Sequence, residues 1–332
     1  MSKGLVHENV DVEILRKRLK ELGWENGEDY GLAKDMILQN LLYDRVFDEK
    51  FMELNENNMR DLEDEERKEV LDNVKNVLRA SGEEAILNYL KYGIDLTVKK
   101  RKMKFILIDF ENIERNVYFY GHEIKFPARS GEIRPDLTLF VNGIPIAVVE
   151  VEASTRPESW RDGVDQIRRY EVQSPDLFKF VQLGICYADK KLFIPTFPNR
   201  EGSKRSSQPQ PWKVERGKAV EEDISDLMRP STLLNMVRWY TFFRRLNGEK
   251  DKIIARYNQY RASEKAFNRI LSYLVDKNEE AARGLIWHWQ GSGKTYTMFF
   301  IANKFFEKFF ERKPLIFFVL DRKELQKQLC ED

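Results

Sequence analysis

Cysteine is nearly absent: Cys186 and Cys330 are the only two in 332 residues. They lie far apart and match no metal-ligand spacing, which argues against a cysteine metal site and fits a reducing, cytoplasmic compartment. An excess of one charge is also lacking, since 56 Lys+Arg against 55 Asp+Glu leave a net charge of +1. Bulk charge therefore does not announce nucleic acid, and only a local patch can do so. No apolar run approaches the roughly 20 residues that span a bilayer, and the opening MSKGLVHENVDVE has no signal-peptide apolar core. No internal repeat is visible. What is present is 42% hydrophobic residues with 12% aromatics. That is ample for a sizeable core, in a chain long enough to expect two domains.

Along the chain, residues 9–22 place Val10, Val12, Leu15, Leu19 and Leu22 mostly on one helical face, and Gly23 ends that helix. Residues 58–92 read as two charged helices broken at Ser81-Gly82. A strand-rich stretch follows in KFILIDF, NVYFYG, HEIKFP, DLTLFV, PIAVVEV, KFVQLGICYA and KLFIPT, with Asn142-Gly143 as a hairpin turn. Residues 199–221 are polar and read as a loop. Residues 231–247 return to helical periodicity, and NGEKDK punctuates before a further helix from about Ile253. The last quarter reads as a separate unit: helix (QYRASEKAFNRILSYLV), strand (GLIWHW), glycine loop, helix (KTYTMFFIANKFFEKFF), strand (PLIFFVL). The expected division is 1–248 and 249–332. The basic run VKKRKMKF, 98–105, fits a DNA-backbone contact and a solvated loop equally well. His122, Trp287 and Trp289 read as packing residues.

The acidic chemistry lies in RPDLTLFVNGIPIAVVEVEAST, residues 134–155. An Asp at one strand start and a Glu on the next strand, one hairpin apart, meet at one sheet end. Glu150 and Glu152 are two apart, so on a strand they share a face. Asp136, Glu150 and Glu152 are therefore candidates for one acidic pocket able to hold Mg²⁺ against a phosphodiester. The competing reading is ordinary surface carboxylates on an edge strand. It is disfavoured because the pair follows a buried-looking run, where unpaired charge is costly.

This stretch resembles the PD-(D/E)xK nuclease fold, and more narrowly the N-terminal nuclease domain of the restriction (motor) subunit of type I restriction–modification enzymes. The resemblance rests on Pro135-Asp136, then Val141-Asn142-Gly143-Ile144-Pro145, then Glu150. It implies an α/β fold: a restriction-endonuclease-like mixed sheet flanked by helices. In DQIRRY it implies that Gln166 and Tyr170 form a Q-x-x-x-Y helix positioning DNA and the active site. It further implies that Glu8, just before the first helix, supplies an early acid, with Glu13 as the competitor. The departure is Glu152, where the family carries lysine. Either a Glu-x-Glu variant is catalytic, or the site is silenced.

HWQGSGKT, residues 288–295, reads as a phosphate-binding loop between strand and helix. Gly291 and Gly293 turn backbone N–H groups toward phosphate, with Ser292 between them; Lys294 reaches the β/γ-phosphates and Thr295 ligates Mg²⁺. His288 replaces the first glycine of the strict pattern. The flanks resemble the same family's superfamily 2 motor. IIARYNQYRASEKA looks like its adenine-recognition motif, with Gln259 on the adenine edge, and FVLDRKELQKQL looks like a DNA-contacting motif with Asp321 and Arg322. The expectation is a partial P-loop, RecA-like domain that binds ATP weakly at best, through Lys294, Thr295 and Gln259, and does not hydrolyse it, in the N-terminal fragment of a larger motor. The family implies a Mg²⁺-dependent endonuclease coupled to ATP-driven translocation on double-stranded DNA. It also implies assembly with methyltransferase (M) and specificity (S) subunits. Two alternatives stay open: a free-standing repair or defence nuclease–helicase, and a catalytically silent DNA-binding or assembly module.

Overall fold

The computed structural model describes residues 3–197, 208–217, 219–246 and 249–319, and the chain separates into two compact units. The first comprises residues 1–212 and 222–234, the second 213–221 and 235–332. This division departs from the expected 248/249 boundary for a simple reason. Residues Thr241–Leu246 are a strand, not helix, and pair antiparallel with Glu249–Ile254, so a boundary between them would cut a ladder.

The first unit is built on a seven-stranded mixed sheet. Its strands are β1 (Glu25–Asn26), β2 (Tyr118–His122), β3 (Leu137–Val141), β4 (Ile144–Val151), β5 (Leu183–Tyr187), β6 (Lys191–Pro195) and β7 (Gln210–Pro211), neighbours in chain order. The pairs β1–β2 and β4–β5 are parallel; the others are antiparallel. Of the expected strands, KFILIDF ends its ladder at Phe105, in a separate hairpin of Ile94–Val98 with Arg101–Phe105. That hairpin turns at Lys99-Lys100, so much of the basic run is a solvated arm carrying a Lys99–Glu66 ion pair.

The helices of this unit are α1 (Lys3–Glu21), α2 (Asp44–Leu54), α3 (Asp64–Ala80), α4 (Glu83–Tyr92), α5 (Trp160–Gln173), α6 (Leu177–Phe180) and α7 (Ile224–Met228). Helix α1 begins earlier than its apolar spacing indicates, so Glu8 lies inside it rather than before it. Every residue of β3 and β4 is buried. A sheet buried on both faces needs cover on both, and α1 and α5 provide it. The Arg16 guanidinium of α1 lies over the Tyr120 ring, while Gly163 of α5 lies over Cys186, Glu150 and Glu152. Tyr120 is level with Leu139 and Ala147, an odd step from Glu150, which places the two helices on opposite faces.

Helix α8 (Pro230–Trp239) begins in the first unit and ends in the second, where the hairpin just described follows it. Helices α9 (Tyr257–Leu274) and α10 (Lys294–Lys308) then pack together, close to the expected bounds. The two expected strands, GLIWHW and PLIFFVL, carry no strand pairing among the described residues. Leu285, Trp287, Trp289, Leu315, Phe317 and Val319 stand exposed. Apolar alternation does not make a strand without a neighbouring backbone to bond.

Candidate active site

The site grows out of one hairpin. Asn142 (φ 52°) and Gly143 (φ 79°) give the left-handed pair of a two-residue turn, joining Val141 to its partner Ile144. A Cβ at Gly143 would lie 2.7 Å from both Phe47 N and Tyr43 O, so glycine is required where α2 docks. The Asn142 side chain accepts from Val117 N and donates to Leu107 O and Asn116 Oδ1, fixing the turn from inside. With the turn fixed, register follows. Leu137 pairs with Val149, so the next step outward sets Asp136 opposite Glu150, on one face of adjacent strands.

Glu150 is 1% exposed, and its Oε1 is buried without a hydrogen-bond partner. Burial pushes its carboxyl well above the usual range, and the neighbouring Asp136 adds to the shift; the Asp136 N–H opposes it. Asp136 accepts from Val151 N at 2.7 Å on Oδ2. Burial nevertheless raises it to about 7, with Glu8, Glu123 and Glu152 adding repulsion. Glu152 is half-buried and raised by burial, against the Arg156 guanidinium, whose Nη2 is 2.9 Å from its Oε2. Glu8 is raised by burial too, and it raises Asp136, Glu150 and Glu152 in turn. Glu13, its competitor, is turned to Arg16 at 2.6 Å. Helix α1 therefore contributes Glu8.

Gln166 and Tyr170 lie one turn apart on α5. Gln166 Nε2 donates to Tyr170 Oη at 2.8 Å, and that hydroxyl donates to Arg134 O at 3.1 Å. Arg134 stands two residues before Asp136, so this chain of bonds holds the strand entry rather than touching the carboxylates. Burial and the Glu150 charge keep the Tyr170 hydroxyl protonated.

Among the described residues, no group of three or more His, Cys, Asp or Glu side chains is gathered as an ion cage. The expectation that Asp136, Glu150 and Glu152 stand at metal-sharing distance is corrected accordingly. Two of the carboxylates take donors of their own instead: Val151 N–H for Asp136, Arg156 for Glu152. The donor set still suits a hard divalent cation. Glu150 Oε1 is an orphaned buried oxygen beside the Asp136 carboxyl, and both acids are held in a state that a cation would relieve.

Several contributors carry no sequence signal. Asp11 of α1 accepts from Ser154 N at 2.9 Å and Ser154 Oγ at 3.0 Å, tying the helix that bears Glu8 to the end of β4. Asp189 accepts from Glu158 N, Ser159 Oγ and Trp160 N, capping the start of α5. Arg156 was also missed.

In the second unit, Gly291 (φ 78°) and Gly293 (φ 79°) form the turn before α10. Lys294 Nζ donates to His288 O at 3.1 Å and Trp289 O at 3.0 Å. Ser292 is buried beneath the turn and its Oγ has no partner, while Thr295 is the second residue of α10. Gln259 is 3% exposed. It accepts from Arg256 N and donates to Ser292 O and Gly293 O. Its amide bonds the loop and braces the glycine turn. Asp321 and Arg322 lie outside the described residues.

Residues 6–203 match the family described as type I restriction enzyme R protein N terminus, and residues 258–332 match SWI2/SNF2 ATPase. The chain is 47% identical over 251 residues to the provisionally named MjaVIIP type I restriction enzyme endonuclease subunit of Methanocaldococcus jannaschii, covering 73% of this chain. It is 37% identical over 325 residues to the corresponding MjaVIIIP subunit of that organism, and 26% identical over 362 residues to the HindI endonuclease subunit of Haemophilus influenzae. Those alignments cover 96% and 98% of this chain. The chain spans 23%, 31% and 32% of the lengths of these three relatives.

Proposed function

Because the chain belongs to the type I restriction enzyme R-protein family, we propose that its first unit is a divalent-metal-dependent DNA endonuclease and its second the start of an ATP-driven translocase on double-stranded DNA. The observation that carries the reading is the placement of Asp136 opposite Glu150, with Glu150 Oε1 buried and unpartnered. Asp136 and Glu150 would hold Mg²⁺. Bound there, the cation supplies a Lewis acid for the phosphoryl oxygen and lowers the pKa of water. The chain's own residues do the rest. Glu8 and Glu152 complete an acidic wall able to accept a proton from water, Gln166 and Tyr170 fix the approach of Asp136, and Asp11 fixes α1. In the second unit Gly291, Ser292, Gly293, Lys294 and Thr295 would cradle ATP phosphates, braced by Gln259. The working assembly would include methyltransferase and specificity subunits, consistent with relatives named as endonuclease subunits.

The test is plasmid cleavage by the full subunit in its assembled complex, with ATP and Mg²⁺ or Mn²⁺. Asp136→Ala should lower cleavage at least about 100-fold, as expected for loss of a metal-holding carboxylate. Cleavage that persists in Asp136→Ala would move the active site elsewhere.

A further inference from the structure

A phosphodiester is an anion, and the pocket that would receive it already holds four acids: Asp136 lies opposite Glu150, and the charges of Glu8 and Glu152 act on both. Two carboxylates suffice for one divalent ion, so charge of the opposite sign has to come from the chain as well. The residue at 152 cannot supply it, being itself an acid. Among the described residues, a cation that pairs directly with one of these four acids is Arg156. Its Nη2 lies 2.9 Å from Glu152 Oε2 and 2.6 Å from Asp162 Oδ2, and its charge also acts on Glu8. Arg134, the other cation close by in sequence, pairs with Asp35 at 3.3 Å and with Glu123 at 4.0 Å.

Resting on the endonuclease reading, we propose that Arg156 is a catalytic residue of this site. Its guanidinium, carried by Glu152 and Asp162, binds the scissile phosphodiester of DNA and offsets the charge that builds on it. Three features suit it. The turn that carries it is pinned at both ends: Ser154 is held by Asp11, Arg156 N donates to Ala153 O, and Ser159 Oγ donates to Ala153 O. Its side chain is 52% exposed, so an incoming phosphate can reach it. Both ion pairs are closest at Nη2, which leaves other donors of the guanidinium fork for a phosphate oxygen. The Asp162 pair is exposed on both sides and therefore weak, so trading that carboxylate for a phosphate oxygen costs little.

In the step itself the water oxygen forms the new P–O bond and one bridging P–O bond breaks. The leaving oxygen keeps that electron pair and takes a proton from solvent, and the proton lost by water goes to the acidic wall. Arg156 gains and loses no proton. The Glu152–Arg156 pair thus acts as a unit: glutamate beside the water, guanidinium on the phosphate.

The experiment measures plasmid cleavage and DNA-dependent ATP hydrolysis by the full subunit in its complex, with Arg161→Ala as a charge-matched control on α5. Arg156→Ala is expected to lower cleavage at least tenfold while ATP hydrolysis stays within twofold of the unaltered protein. Arg156→Lys, which keeps the charge, should recover part of the loss. Arg156→Ala cleaving at the unaltered rate overturns the proposal. A loss that Arg156→Lys does not recover at all overturns it too, because that marks Arg156 as a tie of the turn. Asp136→Ala separates the two levels. Cleavage that depends on Asp136 but not Arg156 sinks this inference alone, whereas cleavage indifferent to Asp136, or none at all, sinks the endonuclease reading beneath it.

Discussion

Asp136 is caught between one good hydrogen bond and several bad neighbours. The Val151 N–H favours its charged form, yet burial and the charges of Glu8, Glu123 and Glu152 outweigh it and lift the carboxyl to about 7 from 3.8. At about 1.4 kcal/mol per unit, that is on the order of 4 kcal/mol between the two protonation states. The sign follows from proton binding. Between those two values the folded protein holds a proton that the unfolded chain has released, so stability falls as pH rises. The contribution of protonated Asp136 is fully present below the unfolded value and is lost through the folded one near 7. In the presence of a chelator, the unaltered protein should therefore lose thermal stability from about pH 5 to about pH 8 more steeply than Asp136→Asn, which cannot ionise there. Mg²⁺ should restore the unaltered protein more at the upper pH, where the carboxylate it would neutralise is charged. Parallel pH slopes for the two proteins would show that Asp136 is not strained in this way.

Helix α5 owes its position to a missing side chain. A Cβ at Gly163 would meet Cys186 Sγ at 2.7 Å and Glu152 Cγ at 3.4 Å, with Cys186 only 1% exposed. Gly163→Ala would gain about 1 kcal/mol of helix propensity, but overpacking a closed core costs about 1–3 kcal/mol. A net loss of about 1 kcal/mol in urea unfolding is expected, and removing the sulfur with Cys186→Ala should relieve it; additive losses would show that the crowding is not at the sulfur. The α5 face that carries Gln166 and Tyr170 was legible from a short motif, and the β3–β4 turn from Asn-Gly, because both signals are local. The turn at 153–159 was not legible. Its clamp joins Asp11 to Ser154 across 143 residues, and polar residues at that distance leave no periodic trace. The runs GLIWHW and PLIFFVL failed for the reverse reason: their pattern is a strand's, but among the described residues no neighbouring backbone pairs with them. At 241–246 the helical reading ran past Trp239 into a segment whose pairing with 249–254 outweighs its weak helical period.

At the scale of the whole molecule, the acidic pocket and the glycine turn draw on different parts of the chain. Glu8, Asp136, Glu150, Glu152, Arg156, Gln166 and Tyr170 all lie within residues 1–212, whereas Gln259 and residues 288–295 belong to the second unit. The first site rests on hydrogen bonds of Asn142, Asp11 and Asp189, the second on those of Gln259. Loss of one should therefore leave the other's local chemistry whole. In the assembled complex, Asp136→Ala should abolish DNA cleavage while DNA-stimulated ATP hydrolysis stays within about twofold, since its effect is confined to one pocket. Lys294→Ala should behave differently. Lys294 now donates to His288 O and Trp289 O and would exchange both for ATP phosphates, so its removal should abolish ATP hydrolysis. If cleavage is coupled to translocation, cleavage should disappear with it, although the acidic pocket is intact. Asp136→Ala depressing ATP hydrolysis as deeply as Lys294→Ala would show that the two sites are one energetic unit.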